Sequence, residues 1–424
     1  MEECVCRQYI QILQQELVPA LGCTEPIAIA FAAAKAREVL GKMPQRIVAS
    51  CSGNIIKNVK GVIVPTTGDM KGIDVSAVLG AVGGDSSLGL ETLTPITPAH
   101  LATCRELLSQ NICQVKLLEG VSNLQIILEV YADSDSALVE VCYAHTNIVR
   151  IEKNGQVLLD VRDQQSGSGH EGADYSTLDL PDIFAFATTG DISELQPTID
   201  RQVQYNRAIA QEGLKNNYGA SVGKTLLEVY GDRVENLARA WPAAGSDARM
   251  GGCVLPVVTN SGSGNQGMTV CLPVLAYAEH LHCDREKTTR ALVLANLIAA
   301  YQKRGLGKLS AYCGAVSAAC SAGAAITWLC GGSYQDVCTT ITNTLANVSG
   351  IVCDGAKGSC AAKIASAVDA ALLAHHMTQK GRTFGAGEGL VMDSADRTVD
   401  AVTRMGREGM RSTDVEILNI MIGK

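Results

Sequence analysis

The sequence predicts an α+β protein in which a small-residue-rich, all-helical domain is joined to a smaller mixed α+β domain. Three observations predict it. Strand-like, β-branched runs are confined to one block between Gln45 and about Asp163. From Leu180 to Lys424 nearly every segment is helical in pattern and rich in small residues. Aromatic residues make up only 4% of the chain against 42 glycines and abundant alanine, a bias that suits closely packed helices more than a β-sandwich. The expected division is 1–42, N-terminal helices packing with the large helical domain; 43–174, the α+β domain; and 175–424, the helical domain.

Taken in order, a first helix is predicted over Glu3 to Leu17 and a second from Thr24 through IAIAFAAAKAREVL to a stop at Gly41. In the second, Thr24 is the expected N-cap and Pro26 lies in the first turn. The block after Gln45 opens with RIVASCSGNIIKN and KGVIVPTTG, followed by the Gly-rich VLGAVGGDSSLGL. Three further strand-like runs are QVKLLEG, NLQIILEVYA and ALVEVCYAHTNIVRIEKNGQVLLD, the last broken by the hairpin signal Asn154-Gly155. The polar stretch RDQQSGSGHEGADYS is read as a surface loop or linker. Beyond it the helices are interrupted by Gly-rich turns at NSGSGNQG, CDGAKGSC and FGAGEG.

A formal net charge of −8 disfavours a nucleic-acid or anionic-membrane partner, since both need a dense Lys/Arg surface. A small-molecule ligand is expected instead, and a homodimer is compatible with the composition. The N-terminus is acidic and has no long apolar core, so it does not read as a secretory signal, and a cytoplasmic location is expected. Sixteen cysteines in such a chain are read as thiols or metal ligands, not disulfides. The uncharged segment Ala311 to Cys330 is long enough to span a bilayer, but its Ala, Gly, Ser and Cys content reads as a buried helix of a globular protein.

Three groups of residues suggest chemistry. Cys353 and Cys360 flank the tight turn CDGAKGSC, and Cys313 begins a small-residue helix. A bulky inorganic core needs thiolates on a Gly-permitted turn, but catalytic zinc or ordinary buried thiols fit the same spacing. Cys23, in LGCTEP, precedes a helix whose amides and dipole would stabilise a thiolate, so it is a candidate base, nucleophile or ligand; the alternative is a plain helix start. In NSGSGNQG, the amides around Ser261, Gly262, Ser263 and Asn265 would suit a carboxylate, or the segment is simply a turn. Asn54, Lys57, His145, Thr146, Asn147 and Arg249 are further polar candidates for gripping an amino acid, each equally readable as a loop residue or solvated charge. No P-loop, Ser-His-Asp, HExxH or pyridoxal-phosphate lysine signature is present.

At GCTEPI, SDARMGG, NSGSGNQG, SAYCGA and SGIVCDGAKGSCAAK the chain resembles the L-cysteine desulfidase family, which is related to the alpha chain of iron-sulfur L-serine dehydratases. The resemblance runs nearly end to end. It implies a 4Fe-4S cluster on Cys313, Cys353 and Cys360, with a fourth iron open to substrate or to Cys23. Serine dehydratases of this type can place a C-terminal cysteine near that iron, whereas this chain ends ILNIMIGK, which turns attention to Cys23. The implied function is conversion of L-cysteine to sulfide, pyruvate and ammonia without pyridoxal phosphate, with Cys23 as a thiolate base. L-serine dehydration is the same-chemistry alternative. A cluster-bearing sulfur or redox sensor is a non-enzymatic one, though no output module is recognisable in the sequence.

Overall fold

The computed structural model describes residues 3–162, 173–307 and 309–424, and it is an α+β protein with a six-stranded mixed sheet. Helix α1, Glu3–Glu16, buries Tyr9, Ile12 and Leu13. A three-residue strand, β1, Pro19–Leu21, follows, and then α2, Thr24–Leu40. Gly41 closes α2 in the left-handed conformation at φ 84°, where a side chain would be strained. The N-cap of α2 is Cys23 and not Thr24: Cys23 holds the extended backbone of a cap, while Thr24 is already helical.

The sheet is built from β2, Arg46–Ser52; β3, Cys113–Leu118; β4, Gln125–Ala132; β5, Asp135–Cys142; β6, Ile148–Lys153; and β7, Gln156–Asp160. Its order is β3-β2-β4-β5-β6-β7, with β2 and β3 parallel and the remaining pairs antiparallel. Asn154 and Gly155, both at positive φ, make the turn between β6 and β7 as expected. In β4, alternate residues are buried, so Ile126, Leu128 and Val130 face the core. That face is covered by α2, which packs in turn on α4, Ile73–Gly83. The α2–α4 contact is close because Gly80 has no side chain: a Cβ there would lie 2.3 Å from the Ala30 carbonyl oxygen.

One β-branched run, and the second half of another, are not strands. After β2 the chain turns at once into α3, Gly53–Val59, which directs Lys57 and Asn58 inward. KGVIVPTTG is irregular, with a single bridge from Ile63 to Lys71. Pro65, which has no N–H to offer a ladder, packs on Gly22, where a Cβ would fall 2.1 Å from its ring. VLGAVGG belongs to α4, and the following DSSLGL is a short 3₁₀ turn. The polar stretch read as a linker falls, over 163–172, outside the described residues.

Beyond the short helix α5, Pro98–Ser109, the remaining helices form the larger body. They are α6, Leu180–Thr189; α7, Gln196–Lys215; α8, Val222–Tyr230; α9, Val234–Met250; α10, Gly264–His280; α11, Arg285–Lys303; α12, Gly314–Leu329; α13, Tyr334–Asn347; α14, Cys360–Gln379; α15, Ala395–Arg404; and α16, Arg411–Ile422. The uncharged segment 311–330 supplies α12, which is buried among α10, α11, α13 and α14. Its small side chains permit that: a Cβ on Gly323 would sit 2.9 Å from the Cβ of Ala371 on α14. Among the described residues no helix is long and apolar enough to cross a membrane.

Of the N-terminal segment 1–42, expected to pack as a whole with the helical body, the described residues 3–42 divide between the two cores. Helix α1 joins the helical core, while α2 joins the core of the sheet. Apolar and small residues ring α2 on nearly all sides, so it can be covered by the sheet and α4 together. The two halves are stitched by β1, which pairs antiparallel with β8, Pro256–Val258.

Candidate active site

The pairing of β1 with β8 decides where the site lies. It aligns Leu21 with Pro256 and Pro19 with Val258 in antiparallel, so GCTEP and NSGSGNQG leave from opposite ends of the pairing, and Arg249 links them by donating to the Gly22 carbonyl and to Asn265 Oδ1. Each then starts a helix, α2 and α10. A second short pairing builds the cysteine group. Tyr312 bridges Val352, the Cys313 N–H donates to the Ile351 carbonyl at 2.9 Å, and the Cys353 N–H donates to the Ala311 carbonyl at 2.7 Å. Cys313 thereby becomes the N-cap of α12 beside Cys353, and Cys360 opens α14.

These elements enclose one cavity of about 90 Å³, walled by Cys23, Glu25, Arg249, Gly262, Ser263, Asn265, Gln266 and Lys303 as well as Cys313, Cys353 and Cys360. Most of the residues singled out in the sequence therefore meet at one place. Helix α3 braces the cysteine turn and puts Asn58 on the cavity wall. Its Lys57 donates to the Cys353 carbonyl at 3.2 Å and pairs with Asp414 of α16 at 2.5 Å, while the Ala356 N–H donates to Asn58 Oδ1 at 3.1 Å. Gly355, at φ 97°, lies so close to α3 that a Cβ would be 2.2 Å from the Lys57 carbonyl oxygen.

Cys353 is the cysteine of this group whose thiol is shifted toward ionisation. The hydrogen bond from Cys313 pulls its pKa well below the thiol range despite burial, and Lys57, the Gly355 amide and Lys363 act in the same direction. Cys313, the donor, is pushed up by that bond and by burial, and Cys360 is pushed up by burial. Among the described residues no group of three His, Cys, Asp or Glu side chains is arranged to hold a single metal ion. The donor set nevertheless fits a polynuclear thiolate-bound cluster. Three thiols border one cavity, two from the ends of one turn and one from a helix start, backbone amides reach their sulfurs, and Lys57 and Lys363 offset the negative charge the thiolates would bring.

Cys23 is in a different state from the one its helix position suggested. Its thiol donates to Glu25 Oε2 at 3.0 Å, and burial together with that neighbouring carboxylate raises its pKa well above the ordinary thiol value. The helix dipole is outweighed, so Cys23 rests as the thiol. Burial pushes the Glu25 carboxyl up, but His145, Cys23 and Arg249 outweigh it and hold the group near 2. Arg249, only 2% exposed, donates through Nε to the Gly22 carbonyl at 2.8 Å and through Nη1 to Asn265 Oδ1 at 3.1 Å. Its Nη2 is buried with no partner among the described residues. A Cβ on Gly264 would lie 2.7 Å from Arg249 Nε, which is why the turn leaves that position bare.

Several predicted residues lie elsewhere. His145 stands behind the wall, with Nε2 3.6 Å from Glu25 Oε1. Thr146 is exposed, and Asn147 donates to the Cys142 carbonyl at 2.9 Å, closing the loop between β5 and β6. Ser261 donates to Asn260 Oδ1 and borders a separate cavity of about 120 Å³ with Glu16 and Tyr175. Asn54 donates to Asp414 Oδ2 at 2.7 Å beside a larger space of about 700 Å³ under α16. With Lys57 engaged by the same carboxylate, neither Asn54 nor Lys57 borders the cysteine cavity.

Glu25, Gln266 and Lys303 were not among the residues picked from the sequence, yet all three wall the cavity. Glu25 carried a signal, a carboxylate two residues after Cys23 in an otherwise apolar helix start. Lys303 ends α11 in a buried last turn, and burial lowers its pKa to about 8.

The model of the family described as serine dehydratase alpha chain matches residues 120–419. A UPF0597 protein of Lachnoclostridium phytofermentans is 53% identical over 416 residues, covering 98% of this chain and 99% of that protein. One from Treponema denticola is 45% identical over 98% of this chain and 97% of its own length. One from Parabacteroides distasonis is 39% identical over the whole of both.

Proposed function

Since the chain belongs to the serine dehydratase alpha chain family, we propose that it is a cytoplasmic, pyridoxal-phosphate-independent iron-sulfur lyase acting on L-cysteine, yielding sulfide, pyruvate and ammonia. The observation that carries this reading is the meeting of Cys313, Cys353 and Cys360 with Cys23 and Arg249 around one cavity. Those three cysteines would hold a 4Fe-4S cluster, which supplies a Lewis-acidic iron that makes the substrate's sulfur a better leaving group.

The protein's own groups do the rest. Arg249 binds the substrate carboxylate through its free Nη2, a charge-assisted bond in a buried setting. Asn265 and the Gly22 carbonyl fix the guanidinium plane, so the substrate's α-carbon is held at a set distance from Cys23. Cys23 is the base: after releasing its thiol proton to solvent it takes the α-proton as the thiolate, while the hydrogen bond to Glu25 holds its sulfur in place. Loss of the α-proton and of the β-sulfur gives aminoacrylate, which tautomerises and hydrolyses to pyruvate and ammonia. Burial of Cys23, Glu25 and Arg249 keeps water from competing for these bonds.

A second reading is L-serine dehydration, favoured by the family's description and by the same residues, with hydroxide leaving in place of sulfide. Anaerobic purification with iron and sulfide analysis, followed by parallel assays of pyruvate release from L-cysteine and L-serine, tests both. Brown protein with about four irons per chain that releases sulfide from L-cysteine supports the first reading. Preferential turnover of L-serine selects the second. A colourless, zinc-bearing protein inert to both amino acids sinks the two together.

A further inference from the structure

The cavity wall carries one unused buried donor, Arg249 Nη2, and one unused buried acceptor, Gln266 Oε1. Buried polar atoms without partners are costly and uncommon, so two of opposite character on one small cavity point to a ligand that supplies both complements. The amide of Gln266 is fixed in place. It lies on the first turn of α10, whose N-cap is Ser263, and it packs on the bare backbone of Gly314, where a Cβ would fall 2.3 to 2.5 Å from its Cδ, Oε1 and Nε2 atoms. Gly314 follows Cys313, so the Gln266 amide stands beside the cysteine group.

Two neighbouring side-chain acceptors on this wall already have donors. Glu25 Oε2 receives the Cys23 thiol at 3.0 Å and the Thr24 hydroxyl at 3.1 Å, and Oε1 faces His145. Asn265 Oδ1 receives Arg249. We propose that Gln266 Oε1 accepts the substrate's α-ammonium group while Arg249 Nη2 binds its carboxylate, making a free, zwitterionic α-amino acid the required substrate class. This rests on the lyase reading above and narrows it. Desamino analogues lack the complementary donor and leave Gln266 unpaired when bound, and N-acylation removes the charge and two of the three N–H donors.

The test is calorimetric titration of the anaerobically purified, cluster-loaded enzyme with L-alanine and with propionate, which share the carboxylate but differ in the ammonium and cannot undergo elimination. Wild-type enzyme is expected to bind L-alanine at least about tenfold more tightly than propionate. Gln266→Leu is expected to erase that preference while leaving propionate affinity unchanged, and Gln266→Glu to restore it. Equal weakening of both ligands in Gln266→Leu, or an intact preference for L-alanine, overturns the assignment while leaving the lyase reading standing. Wild-type enzyme that binds neither ligand overturns the amino-acid reading itself, and this assignment with it.

Discussion

The Cys23 thiol donates to the Glu25 carboxylate at 3.0 Å, and both groups border the cavity that also contains Cys313, Cys353 and Cys360. Two residues apart at the start of one helix, they form a proton pair whose proton lies on sulfur at rest. Cys23→Ala and Glu25→Gln should each lower turnover by about 10²- to 10⁴-fold, the usual worth of a positioned acid-base group. Iron content and the visible absorption of the cluster should stay at the wild-type level, because neither residue is one of its three expected ligands. Loss of iron from Cys23→Ala would instead make Cys23 a structural ligand.

Replacing any one of Cys313, Cys353 or Cys360 by Ser should reduce the iron bound per chain and abolish lyase activity. Removing iron from the wild-type protein with a chelator under oxidising conditions should have the same effect on activity. Full activity after complete removal of iron would exclude the iron-dependent reading. Iron analysis beside pyruvate release checks each case.

Arg249→Lys keeps the charge but replaces the planar fork with a point charge that cannot hold Gly22, Asn265 and a carboxylate together. Its KM should rise by about 10- to 100-fold, corresponding to a loss of about 1.5 to 3 kcal/mol of charged hydrogen bonding. A change confined to kcat would show that Arg249 acts on the chemical step and not on carboxylate binding.

Lys57 is almost fully buried, and its ion-pair partner is Asp414 on the C-terminal helix α16. Asp414→Ala leaves that ammonium without its counter-charge, and the expected cost is about 3 kcal/mol in chemical denaturation. Lys57→Met combined with Asp414→Leu should be milder than Asp414→Ala alone, since no unpaired charge is left behind. A loss in the double variant as large as in the single one would contradict the ion-pair account.

Asp247, in the SDARMGG segment, is buried and accepts the Gly223 N–H at 3.1 Å. Burial raises its pKa to about 6 from an ordinary 3.8, while the amides of Gly223 and Val222 pull it partly back. Between these two values the folded state binds more protons than the unfolded one, so this residue's contribution to stability falls as the pH rises from about 4 to about 6. Asp247→Asn should remove that fall and be more stable than wild type above pH 6, by about 2 to 3 kcal/mol. Urea denaturation at pH 4, 5 and 6.5 checks the sign, and parallel curves for the two proteins would refute it.

The sequence alone determined the α+β class, the first two helices, the strands from Cys113 onward and the burial of the uncharged segment 311–330. These are consequences of local periodicity, Gly stops and turn chemistry, which act over a few residues. It also singled out both cysteine groups, Arg249 and the NSGSGNQG turn as candidates. What it could not give was their meeting. That depends on the three-residue pairing of Pro19–Leu21 with Pro256–Val258 and on the bridge between Tyr312 and Val352, contacts too short for any periodic signal. The strand-like run that became α3 follows the same logic, because its place against the Cys353 turn and α16 is a tertiary requirement. Protonation was likewise decided in three dimensions. A helix start favours a thiolate at Cys23, yet burial beside Glu25 keeps the proton on sulfur, and only the folded chain sets the balance between those two fields.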